Sequence, residues 1–325
     1  MTTMNMVQAI GNALAVEMAR DPSVVVLGED VGIDGGVFRA TEGLYEKFGP
    51  TRVIDTPLSE ACIVGASIGM AMNGLKPVAE IQFLGFSYYT LDQMICHAAR
   101  IRNRSRGHLG VPLVLRTPYG AGVKALEHHS ESTEALYAQI PGLKVVVPAT
   151  PREAKGLLIS AIRDPDPVVF LEPTRNYRLI KEDVEEGDFT IPIGQARKVK
   201  DGKDVTVIGW GAMMPIIQDA ALKAEANGTS VEIIDLRTIS PMDTDTVIDS
   251  VKKTGRAVVV HEAPKTGGIG AEISARIGEN ALLSLKAPVE RVTAPDVTVP
   301  LPKGEHFYYV DADRIHRAIS RVMTF

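Results

Sequence analysis

Cysteine is nearly missing from this chain, with two in 325 residues, Cys62 and Cys96. That excludes a disulfide framework and a cysteine-rich zinc site, and it fits a reducing compartment. Both thiols fall in apolar helical patterns, so buried positions are expected for them. A basic excess is missing too: 35 Lys and Arg stand against 40 Asp and Glu, a net charge of −5, without the footprint of a nucleic-acid binder. The densest basic run, Arg100, Arg102, Arg104 and Arg106, reads as the solvated end of a helix. No apolar run approaches a membrane span, and nothing ahead of the first helical pattern reads as a signal peptide. A cytoplasmic protein without membrane or nucleic-acid partners is expected. Several catalytic signatures are also lacking: no His-Glu-x-x-His, no Gly-x-Ser-x-Gly elbow, no Walker loop, and no Gly-x-Gly-x-x-Gly ahead of a helix.

What is there is an alternation. Short β-branched runs, Val24–Leu27, Arg52–Ile54, Val78–Phe83, Pro112–Arg116, Lys144–Val147 and Val168–Leu171, are separated by helical patterns at Met4–Met18, Glu60–Met72, Tyr88–Arg102 and Arg152–Arg163. Continuous apolar strands between helices predict an α/β fold with a largely parallel sheet covered on both faces. From Asn176 to Asp204 the chain is charged and turn-rich, the composition of a linker. A second α/β region follows, with strands at Val205–Ile208, Val231–Ile234, Ala257–Val260 and Val289–Thr293. Its helices are expected at Met213–Ala226, Thr244–Val251 and Asp311–Met323. The boundary is placed near 190, giving domains 1–190 and 191–325.

In parallel α/β sheets ligands sit beyond the carboxyl ends of strands. There the sequence places Glu29 and Asp30 after the first strand, Gln82 after the third, and Glu60 at the start of an otherwise apolar helix, with Asp92 and the loop residue His129 further on. Each has a plain reading: Ser59 as a helix cap with Glu60 a favourable first-turn charge, Gln82 a hydrogen-bonding partner, His129 a surface residue. Gly267-Gly268-Ile269-Gly270 reads as a tight strand-to-helix turn or an anion cradle.

The chain resembles the β subunit of the thiamine-diphosphate-dependent decarboxylase component of 2-oxo acid dehydrogenase complexes, of the pyruvate dehydrogenase type. The resemblance rests on Val26-Leu27-Gly28-Glu29-Asp30-Val31-Gly32, Asp55-Thr56-Pro57-Leu58-Ser59-Glu60, Glu80-Ile81-Gln82-Phe83, His129-Ser130, Pro141-Gly142-Leu143-Lys144 and Asp235-Leu236-Arg237-Thr238, in that order. It implies a pyrimidine-binding domain followed by a transketolase C-terminal-like domain. By the same resemblance Glu60 is the carboxyl group that exchanges a proton with pyrimidine nitrogen N1′, a task helped by a raised pKa. Burial against Cys62, Ile63 and Val64 would raise it and the helix N-terminus would lower it; burial is expected to win. Phe86 is implied to pack on the aminopyrimidine and Gln82 to contact the cofactor. His129 would face the 2-oxo acid, and Glu29 and Asp92 would line an acidic passage between cofactors, with Tyr89 standing where some relatives have a further acid. A structural potassium site is implied at Val111, Leu113, Ala161, Asp164 and Asp166, whose oxygen donors suit a hard cation.

One element of such sites is missing. The Gly-Asp-Gly motif that holds magnesium and diphosphate has no counterpart; Asp34-Gly35-Gly36 lacks the leading glycine. The phosphate charges need a metal or several cations, so an α subunit is expected to supply magnesium and the diphosphate half of the site, in a tetramer of two α and two β chains. The expected reaction is oxidative decarboxylation of a 2-oxo acid, pyruvate first and branched-chain acids next, with acyl transfer to a lipoyl acyltransferase core. An acetoin dehydrogenase β subunit, or a non-catalytic chain that docks α onto that core, are the alternatives.

Overall fold

The computed structural model describes residues 1–325. A short strand, β1 (Thr2–Met4), precedes the Met6–Arg20 helix, whose start is set by a reciprocal cap between Asn5 and Gln8. Six strands then alternate with helices: β2 (Val24–Gly28), β3 (Val53–Asp55), β4 (Lys76–Glu80), β5 (Val114–Tyr119), β6 (Lys144–Val146) and β7 (Val168–Pro173). All six are parallel, in the order β6-β7-β5-β4-β2-β3. Val24, Val25, Val26 and Leu27 are all buried; with both faces apolar, such strands need helices on each side.

The strand order reverses at β2. The chain runs from β2 outward to β3, then crosses back to β4 on the other flank of β2. A crevice therefore opens beyond the carboxyl ends of β2 and β4, the place where such sheets bind ligands.

The charged stretch read as a linker is more ordered than expected. β8 (Glu182–Val184) returns to pair antiparallel with β1, and β9 (Arg197–Lys200) is the antiparallel edge of a second sheet. The second sheet contains β10 (Val205–Gly209) and β11 (Val231–Asp235), with β13 (Ala257–Pro264) and β14 (Glu290–Ala294) on the far side, in the order β14-β13-β10-β11-β9. The basic β9 suits an edge, where charge discourages further pairing. A strand not read in the sequence, β12 (Thr238–Ser240), leaves the second region and pairs antiparallel with β6, extending the first sheet to seven strands. One apolar cluster runs from Leu27 and Leu115 through Tyr119 and Trp210 to Ile234 and Val259, so the two domains share a core.

Two further expectations are corrected. The helix expected at Tyr88–Arg102 is broken into a 3₁₀ stretch at Leu84–Thr90, a π turn at Gln93–Ala98 and a short α-helix at Ile101–Arg104. Such wide turns often accompany functional sites. Cys62 is exposed and Cys96 half-buried, not core thiols; the Glu60–Met72 helix buries Ile63, Val64 and Ile68 and turns Ala61, Cys62 and Ala66 outward. Gly267 and Gly268 form the strand-to-helix turn, and the ring of buried His261 lies where a Cβ on Gly268 or Gly270 would stand.

Candidate active site

The crevice gathers most of the residues singled out in the sequence. Glu29 and Asp30 follow β2, Gln82 follows β4, and Glu60 begins the helix after β3. Asp30 adopts a left-handed backbone conformation, φ 59°, and its carboxylate accepts a hydrogen bond from Gln82 Nε2 at 3.1 Å. That contact bridges the two strand ends across the crevice. Asp55, at the end of β3, accepts the Gly32 amide at 2.6 Å and the Ile33 amide at 3.2 Å, fixing the loop after β2. A Cβ on Gly32 would lie 2.6 Å from that carboxylate, which is why glycine is required there.

Glu29 is buried, with Oε1 lacking any hydrogen-bond partner. Burial, then the charges of Glu60 and Asp30, push its carboxyl above the usual carboxylate range. Glu60 is half-buried, and Ser59 places no side-chain cap on its helix. Cys62, expected to help bury Glu60, faces outward instead.

An aromatic wall stands on one side. The Phe83 and Phe86 rings meet edge to face at 5.8 Å, and the His129 ring packs against them at 4.4 and 5.1 Å. His129 Nδ1 is buried without a partner. The short turn carrying His129 is seated by Tyr88, whose hydroxyl donates to Glu131, and by Gly85, where a Cβ would collide with the His128 carbonyl. Asp92 and Tyr89 are exposed. The Asp92 carboxylate accepts from Gln93 Nε2 at 3.1 Å, and Gln93 in turn lies against Gly65 of the Glu60 helix.

Thiamine diphosphate is the group the resemblance implies, and the residues present fit its aminopyrimidine half. A carboxylate and a buried orphan oxygen stand near an aromatic wall with an unsatisfied ring nitrogen. The diphosphate half is not matched: no group of three or more His, Cys, Asp or Glu is placed to hold a metal. The residues of the implied potassium site present oxygen donors already engaged within the chain. The Val111, Leu113 and Ala161 carbonyls accept amide hydrogen bonds at 2.8, 2.9 and 3.2 Å. Asp164 is paired with Lys144 and Asp166 with Arg102.

Sequence reading missed two buried polar groups behind the crevice. Glu80, Arg116 and Glu172 lie on three neighbouring parallel strands, and Arg116 binds Glu172 through two hydrogen bonds of 2.7 and 2.8 Å while also pairing with Glu80. Tyr177 donates to Glu172 at 2.5 Å. Burial raises the Glu80 carboxyl against the pull of Arg116; in Arg116 burial opposes the charge, but Glu172 and Glu80 hold its pKa above the ordinary value. A lone charge inside each of three apolar strands was the available signal.

The second group lies between the domains. Glu134 is 1 % exposed and burial pushes it up to about 7; burial and the charge of Glu134 push Glu262 up to about 8. Both carboxyls bind protons more tightly folded than unfolded. The stability they contribute is complete below their ordinary pKa of 4.5 and is lost as pH rises through 7 to 8. Between pH 6 and 9, Glu262→Gln is expected to remove about 2–3 kcal/mol of that decline. Urea titrations of both proteins at each pH measure it; parallel pH profiles would refute the assignment.

The chain is similar to known proteins over nearly its whole length. Residues 2–190 match the transketolase pyrimidine-binding domain and residues 194–315 the transketolase C-terminal domain. The chain is 52 % identical over 322 residues to the pyruvate dehydrogenase E1 component subunit β of Acholeplasma laidlawii, covering 99 % of this chain and 98 % of that one. It is 49 % identical over 325 residues to the subunit of the same name in Bacillus subtilis (strain 168), covering all of both chains. A solved structure described as a split-gene transketolase, inactive β4 tetramer, matches with a TM-score of 0.77 at 23 % identity over 99 % of this chain and 98 % of that one, a likeness of fold. With transketolase-type domains along its length and relatives about half identical from end to end, the chain belongs to the family of pyruvate dehydrogenase E1 component β subunits.

Proposed function

We propose that this chain is the β subunit of the decarboxylase component of a 2-oxo acid dehydrogenase complex, acting on pyruvate and passing the acyl group to lipoamide. The observation that carries the reading is the placement of Glu60 and buried Glu29 at the strand reversal, where the charge of Glu60 acts on Glu29, together with the aromatic wall and the unpartnered His129 nitrogen. The relatives' names support the choice of pyruvate. Residues 1–190 are assigned to the pyrimidine-binding domain and 191–325 to the C-terminal domain, in keeping with the spans of the two matched models.

Thiamine diphosphate, when bound, supplies the electron sink that decarboxylation of a 2-oxo acid requires. Glu60 is assigned to hold the proton exchanged with pyrimidine nitrogen N1′. Glu29, whose carboxyl is raised by burial and then by the charge of Glu60, is the acidic neighbour of Glu60 in the crevice. Gln82 and Asp30 hold the crevice at its set width, and Asp92 is assigned to the outer end of the acidic passage. Phe86 and Phe83 form an apolar wall that excludes water from the ring face. His129 is assigned to orient the substrate carboxylate or carbonyl through a ring nitrogen that no protein group occupies. The donors at Val111, Leu113, Ala161, Asp164 and Asp166 are engaged by amides, Lys144 and Arg102, so a structural potassium there would have to displace those ion pairs; melting temperatures equal in potassium and sodium chloride are expected.

The chain has no Gly-Asp-Gly motif and no cluster of acids placed to hold a metal, so magnesium and the diphosphate are assigned to an α subunit in a tetramer of two α and two β chains. The isolated chain is therefore expected to bind thiamine diphosphate at least a hundredfold more weakly than the α–β assembly. Titration calorimetry with magnesium present measures this, followed by a screen of 2-oxo acids on the assembly. Tight magnesium-dependent binding by the chain alone would overturn the division of the site.

A further inference from the structure

His129 lies on a loop, Gly120–Glu131, that leaves β5 and closes on itself: the Gly120 amide donates to the Glu131 carbonyl, two residues past His129, at 3.0 Å. The root of this loop is held by the other domain. Glu262, on β13, accepts the Ala121 amide at 3.3 Å, and Glu305, on the Glu305–Tyr308 helix, accepts the Gly122 amide at 2.7 Å. Both carboxyls are buried, and each has a second oxygen with no partner. Burial of such carboxyls is unfavourable unless offset; the amides do this, helped at Glu262 by the charge of Arg175 and at Glu305 by Tyr309.

The loop is shaped for this grip. Gly120 and Gly122 have φ of +93° and +112°, which side chains rarely tolerate. A Cβ on Gly120 would stand 2.7 Å from the Glu262 carboxylate, and one on Gly122 would meet Arg175 at 2.9 Å. Tyr119, the last residue of β5, is tied down as well, its carbonyl accepting from Thr174 Oγ1 at 2.9 Å. The outgoing segment at the loop's root is thus clasped by two buried acids of the C-terminal domain, and the returning segment joined to it at Gly120–Glu131 carries His129 to the aromatic wall of the first.

We propose that Glu262 and Glu305 are positioning residues for His129: the C-terminal domain sets the place of the active-site histidine by holding the Ala121 and Gly122 amides. The inference deepens the functional reading and rests on it for the importance of His129, but the placement itself is measurable without turnover. Lys124 is the one tryptic site inside the loop, so cleavage there reports release of the loop, and acylation of His129 by diethylpyrocarbonate, assigned by fragment-ion sequencing to separate it from exposed His128, reports exposure of the ring.

The experiment uses the chain assembled with its α subunit. Glu305→Ala is expected to speed both cleavage after Lys124 and modification of His129 about tenfold, the scale of one lost charge-assisted hydrogen bond. Glu305→Gln, which keeps an acceptor oxygen, should return both rates to within about twofold of the parent. Gly120→Ala, which displaces the Glu262 carboxylate without touching Glu305, should repeat the effect and guards against a folding defect specific to Glu305→Ala. In turnover, Glu305→Ala should lower kcat about tenfold with KM little changed, and should cost nothing further when added to His129→Ala. Parent-like probe rates in both Glu305→Ala and Gly120→Ala, or additive losses with His129→Ala, would overturn the proposal. A parent assembly that turns over no 2-oxo acid would instead overturn the functional reading, leaving the placement of His129 to be decided by the two probes.

Discussion

Glu60→Gln is expected to lower 2-oxo acid turnover by about a thousandfold while leaving the assembly with an α subunit intact. Glutamine keeps the size and the hydrogen-bonding capacity of the side chain but cannot give up a proton to a pyrimidine nitrogen. Losing a positioned acid–base group of this kind costs on the order of 10²–10⁴ in rate. Glu60 is the first residue of its helix and is half-buried, so the fold should tolerate the exchange. Decarboxylation is followed with an artificial electron acceptor, and assembly by gel filtration with the α subunit. The same variant separates the enzyme reading from the docking-module reading: a pure docking chain would lose neither measurement. Turnover within threefold of the parent would remove Glu60 from the proton path. Glu29→Gln offers a graded companion. Because burial and the charge of Glu60 raise Glu29, replacing it should shift the pH profile of turnover rather than abolish activity.

The largest stability effect is expected at Arg116. Its guanidinium is 1 % exposed and is the only cation bound to both Glu80 and Glu172. Arg116→Met would leave two buried carboxyls without a counter-charge, a defect worth about 3–5 kcal/mol. Removing all three charges together, as Glu80→Gln, Arg116→Met and Glu172→Gln, should recover most of that loss, because what destabilises is the uncompensated charge and not the missing pair. Urea unfolding of the single and triple variants measures both values. Equal destabilisation in the two would show that the network contributes through its own attraction. The network lies directly beneath the crevice, with the Glu80 carboxylate 3.5 Å from where a Cβ on Gly36 would stand. Its loss should therefore loosen the loop after β2 before the chain unfolds, and cofactor affinity in the assembly should fall along with stability.

Much of this was legible along the chain. The Val24–Leu27 run and the Met213–Ala226 pattern correspond to a strand and a helix within a residue at their ends, because continuous apolar runs and 3.6-residue periodicity are local signals. Glu29 and Gln82 stand out because strand ends in a parallel sheet mark ligand sites, and Glu60 because it begins an otherwise apolar helix, but their roles are implied only by the family resemblance. The helix expected over Tyr88–Arg102 failed for an equally physical reason: apolar content predicts burial, but whether the chain coils as 3₁₀, π or α there is decided by packing against the Glu60–Met72 helix and the His129 turn. Cys62 was misplaced because a helix apolar all round gives no sign of which face the fold will leave open.

By itself the sequence determined the alternation of strands and helices, the division into two α/β regions, and the presence of polar residues, Glu29, Asp30 and Gln82, just past the strand ends that line the crevice. These follow from side-chain size, branching and charge read over a few residues. Tertiary structure alone decided that β12 crosses to the first sheet, that three lone charges on separate strands form one network, and that Glu262 and Glu305 hold the amides at the root of the His129 loop. Each of those contacts joins residues far apart in the chain. Their partners are chosen by strand order and burial, and no local pattern carries that information.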